Sequence, residues 1–329
     1  MREICSKRKN WAFDELLRDP RYWGPKLDAA IRRLRSDSPQ HYDALFLREE
    51  TLRGASPLLE PLIEMGVVRA VCRDAYEATV RITFLEDTAF LSDRGVCADL
   101  DRVYAPSHYE AGYLAQRAKD TPARQMLDVC TGSGAIAVIY AKAYPRCNVV
   151  AVDINPRAVA YAQLNACMAG VEVDFRVGDL FQPVAKENFD LITAVPPFVP
   201  TPPGVPYFLH SDGGPTGLKV TKRTIREACN YLNSGVLFLL TYSLGNATCP
   251  TLLLRFLCRH GHRWASYTTK HVPTSIWLIY NPSWTENPLH AGRLLDRFRD
   301  RGAKFKRWMN RLLRCNLSHV HYLEVQLRR

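Results

Sequence analysis

No apolar stretch in this chain is long enough to cross a bilayer. A clean apolar run such as Val236 to Leu240 falls far short of the roughly 20 residues a spanning helix needs. The opening residues, MREICSKRKNWAFDELL, carry charge without the apolar middle of a secretory signal. These two absences predict a cytoplasmic protein with no membrane partner. The ten cysteines include no C-x-x-C pair, which points to reduced, buried thiols rather than a disulfide framework. The tightest metal-like grouping, Cys249, Cys258, His260 and His262, falls mostly on an apolar helical pattern, so no metal is expected. Internal repeats and low-complexity tracts are also missing, which excludes solenoids and fibrous folds.

What remains is the composition of a globular chain. With 329 residues, 47% hydrophobic and 23% charged, it can bury a full core without staples. Its net charge of +11 is unevenly placed: His290 to Arg329 holds eleven Lys and Arg against three Asp and Glu, or +8 of the total. The body is therefore nearly neutral. The spacing predicts a basic helix over Arg293–Arg314 that turns Leu294, Leu295, Phe298, Phe305, Trp308 and Leu312 inward. Such a segment can also seek RNA, anionic lipid or an acidic substrate.

Two domains are expected, an N-terminal cap over 1–103 and an α/β domain over 104–329. In the cap, apolar residues recur at helical spacing in Phe13, Leu16, Leu17 and in Leu27, Ile31, Leu34. Pro57 to Met65 then reads as a helix, followed by strands at Val67–Val71, Ala78–Phe84 and Thr88–Ser92. That order suggests a smaller helical, winged-helix-like module that covers substrate or supports a homodimer. From Arg124 onward strands alternate with helices, the signature of a parallel sheet with right-handed crossovers. Strands are predicted at Gln125–Cys130, Asn148–Asp153, Val171–Val177, Phe189–Val195 and Gly235–Tyr242. Helices are predicted at Ala135–Ala143, Pro156–Ala169, Leu218–Tyr231 and Thr251–His260. Arg263–Thr269, Ser275–Tyr280 and Val320–Leu327 compete to close the sheet.

The chemistry centres on LDVCTGSGAIA, Leu127 to Ala137. An apolar strand runs into Gly132-x-Gly134 and then a helix, and Asp153 ends the next strand. Glycines let a ligand lie against the backbone, and a carboxylate about twenty residues on can accept both ribose hydroxyls. The unit predicts an adenosine cofactor.

Later motifs narrow that prediction. Asp179-Leu180-Phe181 follows strand three, strand four ends in Ala194-Val195-Pro196-Pro197-Phe198, and Asp212-Gly213-Gly214-Pro215-x-Gly217-Leu218 lies downstream. From Tyr104 to Tyr242 the chain resembles the class I S-adenosylmethionine (SAM)-dependent methyltransferases, and among them the release-factor glutamine methyltransferases. The resemblance implies a Rossmann-like seven-stranded sheet and SAM as cofactor. It also implies that Asp128, Thr131, Gly132 and Gly134 line the methionine end, Asp153 and Ile154 the ribose, and Asp179 and Leu180 the adenine, with Val195 close by. Leu164 or Leu180 could cover the ring's apolar face.

The resembled family ends its fourth strand in Asn-Pro-Pro-Tyr, where the Asn oxygen orients a substrate nitrogen. Here Val195 cannot accept a hydrogen bond, and Phe198 keeps the ring without the hydroxyl. Around them the proline-rich loop Val195–Gly214 is stiff and should wall the acceptor pocket. Tyr104, His108, Val195, Pro196, Phe198 and His210 are the candidate acceptor-side and catalytic residues, with His108 and His210 able to move protons near neutral pH. Losing the amide-accepting Asn predicts a small-molecule acceptor with an O, N or C nucleophile, in specialised metabolite biosynthesis. Three other readings stand beside it: an RNA or protein methyltransferase, a SAM cyclase that releases methylthioadenosine, and a silent SAM-fold binding module.

Overall fold

The computed structural model describes residues 11–54, 56–259, 265–270, 273–275 and 302–328. The chain divides into two compact units, Met1–Asp179 and Leu180–Arg329. Its class is α/β and Rossmann-like, as the alternating pattern predicts.

The first unit opens with helices α1 (Trp11–Arg18), α2 (Pro20–Asp37) and the single turn α3 (Pro39–Tyr42). Asp19 caps α2 by accepting from the Tyr22 N–H, and Pro20 sits at its first position, where no backbone donor is missed. Leu27, Ile31 and Leu34 recur on one face and are fully buried. Each such burial is worth about 1.5–3 kcal/mol. Antiparallel strands follow: β1 (Leu52–Arg53), β2 (Val68–Cys72) and β3 (Ala75–Ala78), then the hairpin β4 (Val80–Leu85) and β5 (Thr88–Asp93). The short helix α4 (Glu60–Glu64) precedes β2. The single strand expected over Ala78–Phe84 is split at Thr79, whose Oγ1 donates to the Gly66 carbonyl at 2.6 Å while its N–H donates to Val67. Residues before the break pair with β2 and residues after it with β5.

After α5 (Tyr113–Lys119) comes a parallel set, β6 (Gln125–Val129), β7 (Asn148–Asp153) and β8 (Asp174–Val177). Helix α6 (Ala135–Ala143) joins the first pair and α7 (Pro156–Ala169) the second. Strand β8 starts three residues later than expected because Val171 is spent closing the helix. Gly170 adopts φ 67° as the C-cap, and the Val171 N–H donates back to Ala166. Helix α7 shares one core with the N-terminal helices, since Tyr161, Leu164 and Met168 are buried with Phe13, Leu27 and Ile31. That placement corrects the expectation for Leu164, which is a core residue with no surface left to cover a ring.

In the second unit β9 (Phe189–Ala194) runs parallel to β10 (Leu232–Gly245). Helices α8 (Lys219–Ala228) and α9 (Thr251–Arg259) flank β10 in sequence. Two of the segments expected to compete for the closing ribbon are strands, β11 (Ala265–Thr269) and the last strand, His319–Arg328. That last strand lies antiparallel between β10 and β11, and Thr274–Ser275 makes a two-residue pairing with its start. Of the predicted basic helix, Gly302–Arg314 is helical with Trp308, Met309 and Leu312 buried. Residues 293–301, 276–280, His260 and His262 lie outside the described residues. Among the described residues no helix is long and apolar enough to cross a membrane, and no group of His, Cys, Asp and Glu could hold a metal.

Candidate functional site

In the first unit the turn between β6 and α6 compresses three left-handed residues into five: Cys130 at φ 59°, Gly132 at 56° and Gly134 at 82°. Gly134 is required twice over. Its φ disfavours any side chain, and a Cβ would stand 2.8 Å from the Ala162 Cβ on α7. At Gly132 only the φ matters, because a Cβ there would meet nothing within 4 Å. The backbone at Gly132 is thus open to a ligand, as a nucleotide cofactor needs.

Two carboxylates hold this turn. Asp128 is fully buried at the end of β6 and accepts from Thr131 Oγ1 at 2.6 Å. Asp153, ending β7, accepts from the Gly132 N–H at 2.8 Å with one oxygen and from the Asn155 N–H at 2.9 Å with the other. A carboxylate has about four acceptor sites, so Asp153 keeps capacity to accept from a ribose hydroxyl without releasing the turn. Burial pushes the Asp153 carboxyl above its usual range, against the opposing pull of the Asn155, Gly132 and Ile154 N–H groups. Ile154 beside it is half exposed, as is Val177, its cross-strand neighbour's residue on β8, paired with Asp153. Nothing in the sequence separates Val177 from an ordinary strand residue. The Gly178 N–H donates to the Asp153 carbonyl at 2.9 Å and fixes the end of β8, with half-buried Asp179 next.

Tyr104 is half-buried in the approach to α5, and His108 is exposed at the start of a π-helical turn, His108–Gly112. Sequence reasoning missed Glu110 in that turn. Ser107 Oγ accepts from the Glu110 N–H at 3.1 Å and bonds the Glu110 carboxyl at 3.2 Å. The Ser-x-x-Glu spacing of a capping box is readable in the sequence, though here the Glu110 carboxyl accepts from the Ser107 hydroxyl rather than from its N–H. Loss of solvent around the carboxyl pushes the Glu110 pKa up to about 7, with the Ser107 bond opposing.

The second unit begins at Leu180, which is buried and adopts φ 51°. Val195 follows β9 and is partly exposed, while Pro196 is buried. The Phe198 ring is also buried, edge-on to Tyr242 with centroids 4.5 Å apart. The proline-rich loop folds back on itself: the Val199 N–H donates to Ser211, Gly213 N–H to Val199, and Thr201 N–H to Gly214. Asp212 locks the fold by accepting from Thr201 Oγ1 and from the Gly214 N–H. His210 Nδ1 bonds Ser211 Oγ at 2.6 Å and its ring stacks on Phe208. The structure therefore gathers Asp128, Thr131, Gly132, Gly134, Asp153 and Ile154 around one turn of the first unit. Val195, Pro196, Phe198 and His210 lie on one loop of the second.

The methyltransferase small domain family matches residues 107–253. A release factor glutamine methyltransferase of Geobacter sulfurreducens is 35% identical over 155 residues, covering 44% of this chain and 55% of its own. A ribosomal protein uL3 glutamine methyltransferase of Bradyrhizobium diazoefficiens is 33% identical, covering 46% and 50%. A Methanocaldococcus jannaschii protein carrying the name "Putative protein N5-glutamine methyltransferase" is 35% identical over 137 residues, 40% of this chain and 68% of its own. The chain spans about half the length of the first two relatives.

Proposed function

The chain belongs to the class I SAM-dependent methyltransferases, and from that premise we propose that it methylates a side chain of a protein substrate. The small-molecule acceptor expected from Val195 is corrected by the relatives, which are named for methylating release factors, ribosomal protein uL3 and protein glutamine. The observation that carries the proposal is the 35% identity extending over 68% of the M. jannaschii relative. A cytoplasmic location fits substrates of that kind.

In this reading Asp128, Thr131, Gly132, Gly134, Asp153, Ile154 and Asp179 hold the cofactor. The open backbone at Gly132 and the spare acceptor capacity of Asp153 are what support the fit. When bound, SAM supplies a methyl group already activated by its sulfonium. The protein's own work is then mostly positioning, which can account for several kcal/mol of a barrier. Val195, Pro196, Phe198 and His210, on one loop of the second unit, are assigned to receiving and orienting the acceptor. Val195 offers no hydrogen bond, so the acceptor group is held by backbone carbonyls and apolar contact. The stiff loop behind Phe198, tied by Asp212, suits a site that must not yield when a macromolecule docks.

The test supplies methyl-tritiated SAM to the full chain with a fractionated cell extract. Label in the protein fraction that is lost with Asp153→Ala supports the reading. Label confined to the small-metabolite fraction rejects it.

A further inference from the structure

We propose that Asn165 is a positioning residue for the Gly132–Gly134 turn, and that through it strand β5 is part of the cofactor site. The proposal rests on the reading that this turn and Asp153 hold SAM.

Asn165 lies within α7 and is fully buried. Asparagine is a poor helix former, and a buried amide costs free energy unless its hydrogen bonds are made. Here they are made, in two directions. Oδ1 accepts from the Leu91 N–H at 2.8 Å, and Nδ2 donates to the Leu91 carbonyl at 3.1 Å and to the Ser133 carbonyl at 2.9 Å. Ser133 is the buried residue between the two glycines. One side chain therefore fastens the centre of the turn to the backbone of β5.

A second path from the same strand reaches the other side of the site. Asp93 stands two residues beyond Leu91, so both face the same side of β5. Its carboxylate accepts from Arg157 Nε at 3.0 Å, from Arg157 Nη2, from Tyr161 Oη at 2.9 Å and from the Val103 N–H at 2.7 Å. The Arg157 N–H donates to Asn155 Oδ1 at 3.0 Å, and the Asn155 N–H in turn donates to Asp153. Asn155 Nδ2 adds a bond to the Asp101 carbonyl at 2.6 Å. Leu91 thus secures the glycine turn, and Asp93 secures the end of β7. A residue that only filled the core would need neither bond to Ser133 nor a partner strand shared with Asp153.

Linkage makes this testable, because a ligand that steadies the turn must also steady what holds it. Amide hydrogen exchange is followed on the full chain with and without SAM. The expected result is slower exchange at 131–134 and at Leu91, with the amides of β2 unchanged. Slowing at 131–134 without slowing at Leu91 overturns the proposal and leaves the cofactor assignment intact. No slowing at 131–134 overturns both. As a second measurement, Asn165→Asp keeps the acceptor for Leu91 but sets a carboxylate oxygen against the Ser133 and Leu91 carbonyls. It should weaken SAM binding about tenfold while kcat at saturating SAM stays within about twofold. Thr79→Val, which removes a hydrogen bond elsewhere in the same layer, should leave SAM affinity unchanged. A folded Asn165→Asp protein with wild-type SAM affinity sinks the proposal; if it does not fold, the exchange result decides.

Discussion

Asp153 serves two purposes, since the oxygens that would accept ribose hydroxyls also accept the Gly132 and Asn155 N–H groups. Asp153→Ala should therefore raise the SAM dissociation constant at least about tenfold by calorimetry, because charge-assisted bonds of roughly 1.5–3 kcal/mol are lost. Val195→Asn should leave that constant unchanged if, as proposed, Val195 meets the acceptor rather than the cofactor. Glu110 gives a pH signature. Its folded pKa of about 7 lies above the ordinary 4.5, so its contribution to stability is fully present below pH about 4.5 and is lost as pH rises through about 7. Glu110→Gln should flatten that part of the profile, and thermal melts at pH 5 and pH 8 would read it. A wild-type loss between those values that the variant reproduces would show that the pH dependence arises elsewhere.

Among the elements, the turn from β6 to α6 allows two glycines to be told apart. Gly134→Ala meets both a left-handed φ and the Ala162 Cβ at 2.8 Å, and should cost about 2–4 kcal/mol of stability in urea unfolding. Gly132→Ala meets only the φ and should cost about 1–2 kcal/mol; equal losses would contradict the close approach of α7. This turn was legible in the sequence because every feature of it is local: an apolar strand, glycines at fixed spacing, a helix, and an acid one strand later. Helices α6 and α7 were legible to the residue for the same reason, bounded by Gly134 at one start and by Asn155-Pro156 and Gly170 at the ends of the other. What could not be read was long-range. Thr79 breaks a strand by bonding residues a dozen positions back, and the place of His319–Arg328 between β10 and β11 depends on pairing across the sheet. Asn165 looked like any polar helix residue until Leu91 and Ser133 came beside it. Glu110 was legible in principle, through Ser107 three residues before.

For the whole molecule, charge and substrate are the open scale. On the basic helix Lys304, Arg307, Arg311 and Arg314 are exposed along one face while Trp308 Nε1 donates to the Pro215 carbonyl at 3.1 Å. If those four cations tracked single-stranded RNA, log affinity would fall against log salt with a slope of about −3. We expect instead weak attraction at low salt that vanishes near physiological ionic strength, where exposed charges beyond about 8 Å are screened. Labelled RNA titrated at two salt concentrations checks this, and sub-micromolar binding at physiological salt would contradict it. The misjudged acceptor has a physical origin too: Val195 reports only a lost hydrogen bond, and a lost bond does not say how large the substrate is. The most direct measurement is a product balance by mass spectrometry, with SAM and cell extract supplied to the full chain. A protein methyltransferase should give S-adenosylhomocysteine matched one for one by methyl groups on a protein-derived peptide; methylthioadenosine, or S-adenosylhomocysteine matched by a methylated metabolite, would contradict that assignment.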